Sequence, residues 1–345
     1  MIGLKDLIGQ KRPVQLLANA LQNGKMPHAW LFTGEDGVGK KSAALALAMI
    51  SNCQNPDLTG LPASQADGQS AACPRACGNC RSCKKIAAGV HPEVRVLEPS
   101  GPNIRIDRIR SLCSDLALKS DERSCRFVIV DPAGRMNAEA ANALLKILEE
   151  PPERTVFVLI AADTGDLLPT IVSRCQHIRF HPIAPAELEA YLRDKSGTAP
   201  QQAMIVASLA RGSLGRAVEM AAQDWSARRN FFINQLSKLP AQPRCIRHVL
   251  AEIMARDKDR IETNLEIMKN WYRDLAVSSA APDLLYNRDL SDQIRKTGSR
   301  ISMDQILEKT DAIAAAEKAL TTNANARLVM DALVEALAAQ GDKTY

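Results

Sequence analysis

Residues 30–42 read WLFTGEDGVGKKS, and the fold turns on them. Trp30, Leu31 and Phe32 make a short apolar run of the kind that forms a buried strand. Gly34, Gly37 and Gly39 stud the turn that follows, then comes Lys40, and Ala43 to Ile50 is built almost entirely from Ala, Leu, Met and Ile. Strand, glycine-rich turn and helix are the context in which a G-x-x-x-x-G-K string becomes a phosphate loop. Glycines allow positive φ, so successive backbone N–H groups can converge on one anion at the helix N-terminus. Lys40 adds a point charge for the outer phosphates of ATP or ADP. The next position departs from the pattern. A hydroxyl that holds Mg²⁺ belongs there, and residue 41 is lysine. Ser42 is one place late and points about 100° round the helix. A flexible β-turn with three glycines is the alternative, and the flanking strand and helix argue against it.

Around this stretch, a chain of 345 residues has room for two or three domains at roughly 100–200 residues each. Its 46% hydrophobic and 24% charged residues are those of a folded globular protein. The net charge of +5 permits contact with nucleic acid without demanding it. No segment reaches the ~18 uninterrupted apolar residues of a membrane span, and the opening MIGLKDLIGQKRP lacks a signal-peptide core. A cytoplasmic location is expected, where the nine cysteines would not pair as disulfides.

On the N-terminal side, residues 4–24 are predicted to form an amphipathic helical approach with Leu16, Leu17 and Leu21 as its stripe. On the other side, the phosphate-loop helix ends near Cys53. Residues 54–76 then become rich in Gly, Pro, Ser, Asp and Gln, an excursion from the core. It leads into Cys77-Gly-Asn-Cys80-Arg-Ser-Cys83, two overlapping C-x-x-C spacings. Each places two thiolates on one side of a tight loop, matching an edge of the tetrahedron that Zn²⁺ requires. Cys53, Cys73 or His91 could supply the fourth ligand. No open coordination position is evident, so the zinc reads as structural. Reduced surface thiols and a redox dithiol are the alternatives, and three evenly spaced cysteines suit a structural metal better.

Further on, Glu93–Leu97 reads as a strand and Asp107–Lys119 as a helix, with Asp107 as N-cap and Ile109, Leu112 and Leu116 on one face. RFVIVD, residues 126–131, is an apolar strand ending in an acid. In a phosphate-loop fold, Asp131 at that strand end lies beside the loop and helps hold Mg²⁺. A helix over Asn137–Glu150 stops at Pro151-Pro152. Strands are expected at Val156–Ala161 and His177–Phe180. Strands alternating with helices predict an α/β fold with a parallel sheet.

NALLKILEEPP (142–152) followed by IVSRC (171–175) resembles the clamp-loader branch of the AAA+ proteins, and CGNCRSC is similar to the zinc module of its bacterial subunits. The likeness takes in PHAWLFTGEDGVGK, HPEVRVLEP and the late NANARLVMDAL, and so runs through nearly the whole chain. It implies an AAA+ P-loop NTPase-like domain over residues 1–181 with a zinc module inserted at about 53–91. A small helical lid over 182–223 and an all-α collar over 224–345 would follow. The collar helices are expected at Arg228–Leu239, Cys245–Met254, Asp259–Val277 and Ala312–Gln340. By the same likeness, Cys77, Cys80, Cys83 and, by position, Cys53 hold the zinc, with Cys73 still open as the fourth.

In the Ser173-Arg174-Cys175 motif, Arg174 corresponds to an arginine finger that reaches into the ATP site of a neighbouring subunit. Gly212-Ser213-Leu214-Gly215-Arg216 resembles the motif whose arginine senses the γ-phosphate in motor subunits, so Arg216 joins the nucleotide residues. The implied partners are the motor (gamma/tau) and delta subunits of DNA polymerase III in a five-membered ring. The sliding clamp and primed DNA are met through that complex.

Three departures from the motor pattern bear on activity. Lys41 replaces the Mg²⁺ hydroxyl, Pro132 stands where motor ATPases carry the water-orienting Glu, and Ala162 lies where they carry a polar sensor. Losing an acid that contributes about 10³-fold raises the barrier by roughly 4 kcal/mol. The expectation is a rigid ring member that serves a neighbour and turns over no ATP of its own. An autonomous AAA+ ATPase is the alternative, supported by the Gly34/Gly39/Lys40 frame and opposed by Pro132. A DNA-binding zinc finger lacks both a His pair and a base-reading helix signature.

Overall fold

The computed structural model describes residues 3–58, 73–117, 125–222, 225–256, 260–322 and 324–339. The chain divides into two units, Met1–Leu188 with Arg211–Arg216, and Glu189–Ala210 with Ala217–Tyr345.

The first unit is organised on five parallel strands: β1 (Ala29–Thr33), β2 (Val94–Leu97), β3 (Arg126–Val130), β4 (Thr155–Ala161) and β5 (Gln176–Arg179). Their order is β2-β3-β4-β1-β5. The helices of this unit are α1 (Lys11–Gln22), α2 (Lys40–Ser51), α3 (Arg81–Ala87), α4 (Ile106–Ala117), α5 (Ala138–Glu149) and α6 (Pro169–Val172). Side chains alternate across each strand, and both faces are covered. Trp30, Phe32, Phe127, Ile129, Val158 and Ile160 share one core with α2. Leu31, Val128, Val130, Phe157 and Leu159 share the other with α4 and α5. A sheet buried on both faces needs apolar residues on both, which is why these strands read as unbroken apolar runs. β1 lies between β4 and β5, paired Trp30 to Val158 and Trp30 to Gln176. The phosphate loop therefore leaves the sheet beside a reversal of strand order, where open α/β sheets place their ligand crevice.

Local differences from the sequence expectation have simple causes. Residues 4–24 are not one helix: a short 3₁₀ turn, Leu4–Asp6, precedes α1. The buried face of α1 carries Pro13, Leu17 and Ala18, with Val14 and Leu21 beside them. Leu16 is rotated off that face and 40% exposed. Asp107 is the second residue of α4 rather than its cap, an acid in the first turn where the helix dipole favours it. The expected extension to Lys119 lies outside the described residues, as do residues 59–72 of the excursion.

The second unit is helical, with α7 (Pro185–Ser196) and α9 (Leu214–Ala222) entering it and α8 (Pro200–Leu209) between them. The remainder comprises α10 (Trp225–Lys238), α11 (Arg244–Arg256), α12 (Ile261–Val277), α13 (Ser291–Gly298), α14 (Met303–Thr321) and α15 (Ala326–Ala338). The expected helix Ala312–Gln340 is two helices. Asn325 restarts the chain as N-cap of α15, its side chain accepting from the Arg327 N–H at 3.0 Å. Gln340, and the lid boundary at Gln223, lie outside the described residues. No described helix is long and apolar enough to cross a membrane.

A buried polar cluster fixes the loop after α12. Asp274 is fully buried and accepts hydrogen bonds from the N–H groups of Tyr286 (3.0 Å) and Asn287 (2.8 Å), from Asn287 Nδ2 (2.8 Å) and from Arg273 Nη1 (3.0 Å). Arg229 on α10, equally buried, donates to Asp289 Oδ1 (2.9 Å) and Asn287 Oδ1 (3.3 Å). Removing one partner strands the others in a low dielectric. Asp274→Ala is expected to destabilise this unit by about 3–5 kcal/mol, read as a lower urea midpoint, and Asp274→Asn by less.

Candidate functional site

The phosphate loop has the conformation its glycines permit. Gly34, Gly37 and Gly39 have φ of 137°, 78° and 104°, and α2 begins directly after Gly39 at Lys40. A Cβ on Gly34 would lie 2.5 Å from the Phe180 carbonyl oxygen, and one on Gly37 would lie 2.1 Å from Ser213 Oγ. The second contact shows that the Gly212–Arg216 turn sits on the loop. The Gly215 N–H donates to the Gly37 carbonyl (3.1 Å), and the Arg216 N–H donates to Ser213 Oγ (3.3 Å). The loop is also tied to the end of β4, where the Gly34 N–H donates to the carbonyl of Ala162 at 3.1 Å.

The charged residues around the loop hold one another. Lys40 is buried; its Nζ donates to the carbonyls of Gly34 and Glu35 (3.0 Å to Glu35) and reaches Asp36 Oδ1 at 3.4 Å. Lys41, one residue on, pairs with the Glu98 carboxylate just beyond β2. Asp131 follows β3, at the strand end where the sequence places it. Burial raises its pKa, and the charges of Lys41 and then Lys40 act against that rise. Glu98 was not legible from sequence as a member of this group; it meets Lys41 only because β2 pairs with β3.

The thiols assemble across a gap in the sequence. Asp57 and Arg75 exchange backbone hydrogen bonds, both 2.9 Å, and their side chains pair at 2.9 Å. This bridge closes the base of the excursion and returns the chain beside the end of α2. Cys53 thereby meets Cys77, Cys80 and Cys83, and the four Sγ atoms all lie within 4.8 Å of one another. Cys73, half-buried, is not among them. His91 is otherwise engaged: its Nδ1 accepts from the Glu93 N–H at 3.2 Å, and its Nε2 lies 3.0 Å from Ser82 Oγ.

The donor set fits zinc. Four sulfurs around a Zn–S bond of about 2.3 Å define tetrahedral edges of about 3.8 Å, and Cys77 and Cys83 are already 4.0 Å apart. Backbone N–H groups point at the sulfurs, from Cys77 to Cys53 (3.2 Å), Cys80 to Cys77 (3.4 Å) and Cys83 to Cys80 (3.4 Å). For Cys80, burial acts to raise the thiol. The N–H groups of Gln54 and Cys83 and the adjoining thiols outweigh it and bring it down to about 6. The thiolate is the form in which a cysteine sulfur binds zinc.

The Ser173-Arg174-Cys175 motif divides its labour by direction. Cys175 packs against the core beneath α5 and α6, and burial pushes its thiol up to about 12. Ser173 Oγ donates back to the Thr170 carbonyl at 3.1 Å. Arg174 between them is turned outward, 36% exposed. Its Nη1 donates to the Thr170 carbonyl (2.9 Å) and its Nη2 pairs with Glu149 Oε1 (2.7 Å). The sequence did not single out Glu149 as this partner.

The chain is similar in sequence to subunits of DNA polymerase III. The family described as "DNA polymerase III, delta subunit" matches residues 9–184. DNA polymerase III subunit delta' of Bacillus subtilis is 30% identical over 94% of this chain and 95% of its own length. The subunit of the same name from Pseudomonas aeruginosa is 30% identical over 91% of each. The tau subunit of Escherichia coli is 31% identical over 63% of this chain and 32% of its own length. Among solved structures, a gamma-subunit-related protein of Thermotoga maritima has a TM-score of 0.45 at 18% identity, covering 94% of this chain and 98% of that one. With likeness to the delta' proteins running end to end and the phosphate-loop sheet in place, the chain belongs to the DNA polymerase III delta' family.

Proposed function

We propose that the chain is a non-motor member of a clamp-loader ring, needed for loading the sliding clamp onto primed DNA, and that Arg174 acts in the ATP site of a neighbouring gamma/tau subunit. Membership of the delta' family carries this reading. The outward guanidinium on a turn anchored by Cys175 supports the role of Arg174. The chain's own pocket supports the rest: Lys41, Pro132 and Ala162 leave no hydroxyl for Mg²⁺, no water-orienting acid and no polar sensor. In this reading residues 1–181 are the AAA+ domain, 182–223 the lid and 224–345 the collar that packs with the collars of the motor and delta subunits. Ile246, Val249 and Ile253 form an exposed apolar stripe along α11, suited to such packing. Cys53, Cys77, Cys80 and Cys83 hold a structural zinc. The metal would tie α3 and the returning excursion to the end of α2; ATP or ADP at Lys40 is not required.

Reconstitution tests the reading. Motor and delta subunits are mixed with and without this chain, and clamp deposition on primed DNA is measured. The expected result is efficient loading only when the chain is present and copurifies with the ring. Equal loading in its absence would remove the proposal.

A further inference from the structure

Outside the arginine and thiol sites, Lys41 breaks the phosphate-loop pattern directly after its lysine. In a phosphate-loop protein the residue after the lysine and the acid at the end of β3 jointly hold a divalent cation. Here the acid is kept as Asp131 and the hydroxyl is exchanged for Lys41. Its half-exposed ammonium is paired with Glu98, on the chain leaving β2, while Asp131 leaves the adjoining strand β3. The preceding residue, Lys40, pairs with the exposed Asp36 instead.

We propose that Lys41 is a tethered cation that takes the place of the divalent metal, balancing Asp131 and Glu98 and closing this pocket to Mg²⁺. The ammonium has no lone pair to offer a metal, it is held by Glu98, the residue after the Leu97 carbonyl that accepts from the Asp131 N–H, and its charge repels an incoming cation. The electrostatics agree in sign: Lys41 is the leading charge that opposes the effect of burial on the Asp131 carboxyl. The two acids are then balanced by a resident charge without magnesium. This goes beyond the ring-member reading and does not depend on it, because it concerns the solitary chain.

The test uses the full chain and metal ions alone. Mn²⁺ binding is followed by electron paramagnetic resonance and thermal stability is measured in EDTA and in MgCl₂. Lys41→Thr supplies the missing hydroxyl and releases Glu98. It is expected to bind one Mn²⁺ about tenfold or more tightly than the natural chain, and adding Asp131→Asn should abolish the gain. Lys41→Ala should be stabilised by MgCl₂ relative to EDTA, whereas the natural chain should not respond to magnesium. Binding of Mn²⁺ by the natural chain as tight as by Lys41→Thr, and lost with Asp131→Asn, would overturn the proposal. So would two variants, folded by circular dichroism, that gain neither Mn²⁺ binding nor a response to magnesium.

Discussion

Replacing Arg174 by alanine in an assembled clamp-loader ring is expected to slow ATP hydrolysis at the neighbouring site by about 10³- to 10⁵-fold, the range for loss of an arginine finger. The ring itself should survive, because the side chain contributes little to this chain's own fold. Its partners in the solitary chain are an exposed carboxylate, Glu149, and one carbonyl. An ion pair this exposed is worth about 1 kcal/mol or less, so the guanidinium can exchange Glu149 for a phosphate at small cost. The backbone that carries it is held independently by Ile171 and Cys175 in the core. Single-turnover hydrolysis resolves the effect, since only one site of the ring loses its finger; native mass measurement shows whether the ring persists. Arg174→Lys should recover little of the rate, because an ammonium lacks the planar fork that grips a phosphoryl group.

The second large effect is expected from the thiol cluster. Structural zinc sites contribute about 10–16 kcal/mol of apparent binding energy in isolated zinc-finger peptides. Here Cys53 follows a helix packed on the sheet core, so the loss should be smaller but still severe. Cys83 is buried in the core that contains Ala46, Leu47 and Ile50 of α2, and Cys53 follows that helix directly. Cys53→Ser or Cys83→Ser, or removal of zinc by a chelator, is expected to cost at least about 3 kcal/mol and lower the melting temperature by roughly 6–12 °C. Metal content measured on the same samples should fall to near zero. Cys73→Ser should retain both zinc and stability, which separates the two fourth-ligand assignments that the sequence leaves open.

How far the sequence could be read follows the range of the forces involved. Strands buried on both faces announce themselves as apolar runs, and β1, β3 and β4 lie within a residue of expectation. The glycines of the phosphate loop and the C-x-x-C pair are local patterns with local causes, and both were legible. What was hidden depends on residues distant in the chain. The choice between Cys53 and Cys73 is made by the Asp57–Arg75 bridge, which no spacing reveals. Glu98 and Glu149 look like ordinary surface acids until strand pairing and helix packing bring them to Lys41 and Arg174. The break between α14 and α15 escaped because the Ala-rich pattern on each side is helical; only the capping role of Asn325 interrupts it.

The proposed role requires that the chain's own pocket turn over no ATP. Phosphate release from ATP by the purified solitary chain, with and without primed DNA, tests this most directly. The predicted result is no turnover above that of the buffer. Sustained turnover that disappears with Lys40→Ala would contradict it.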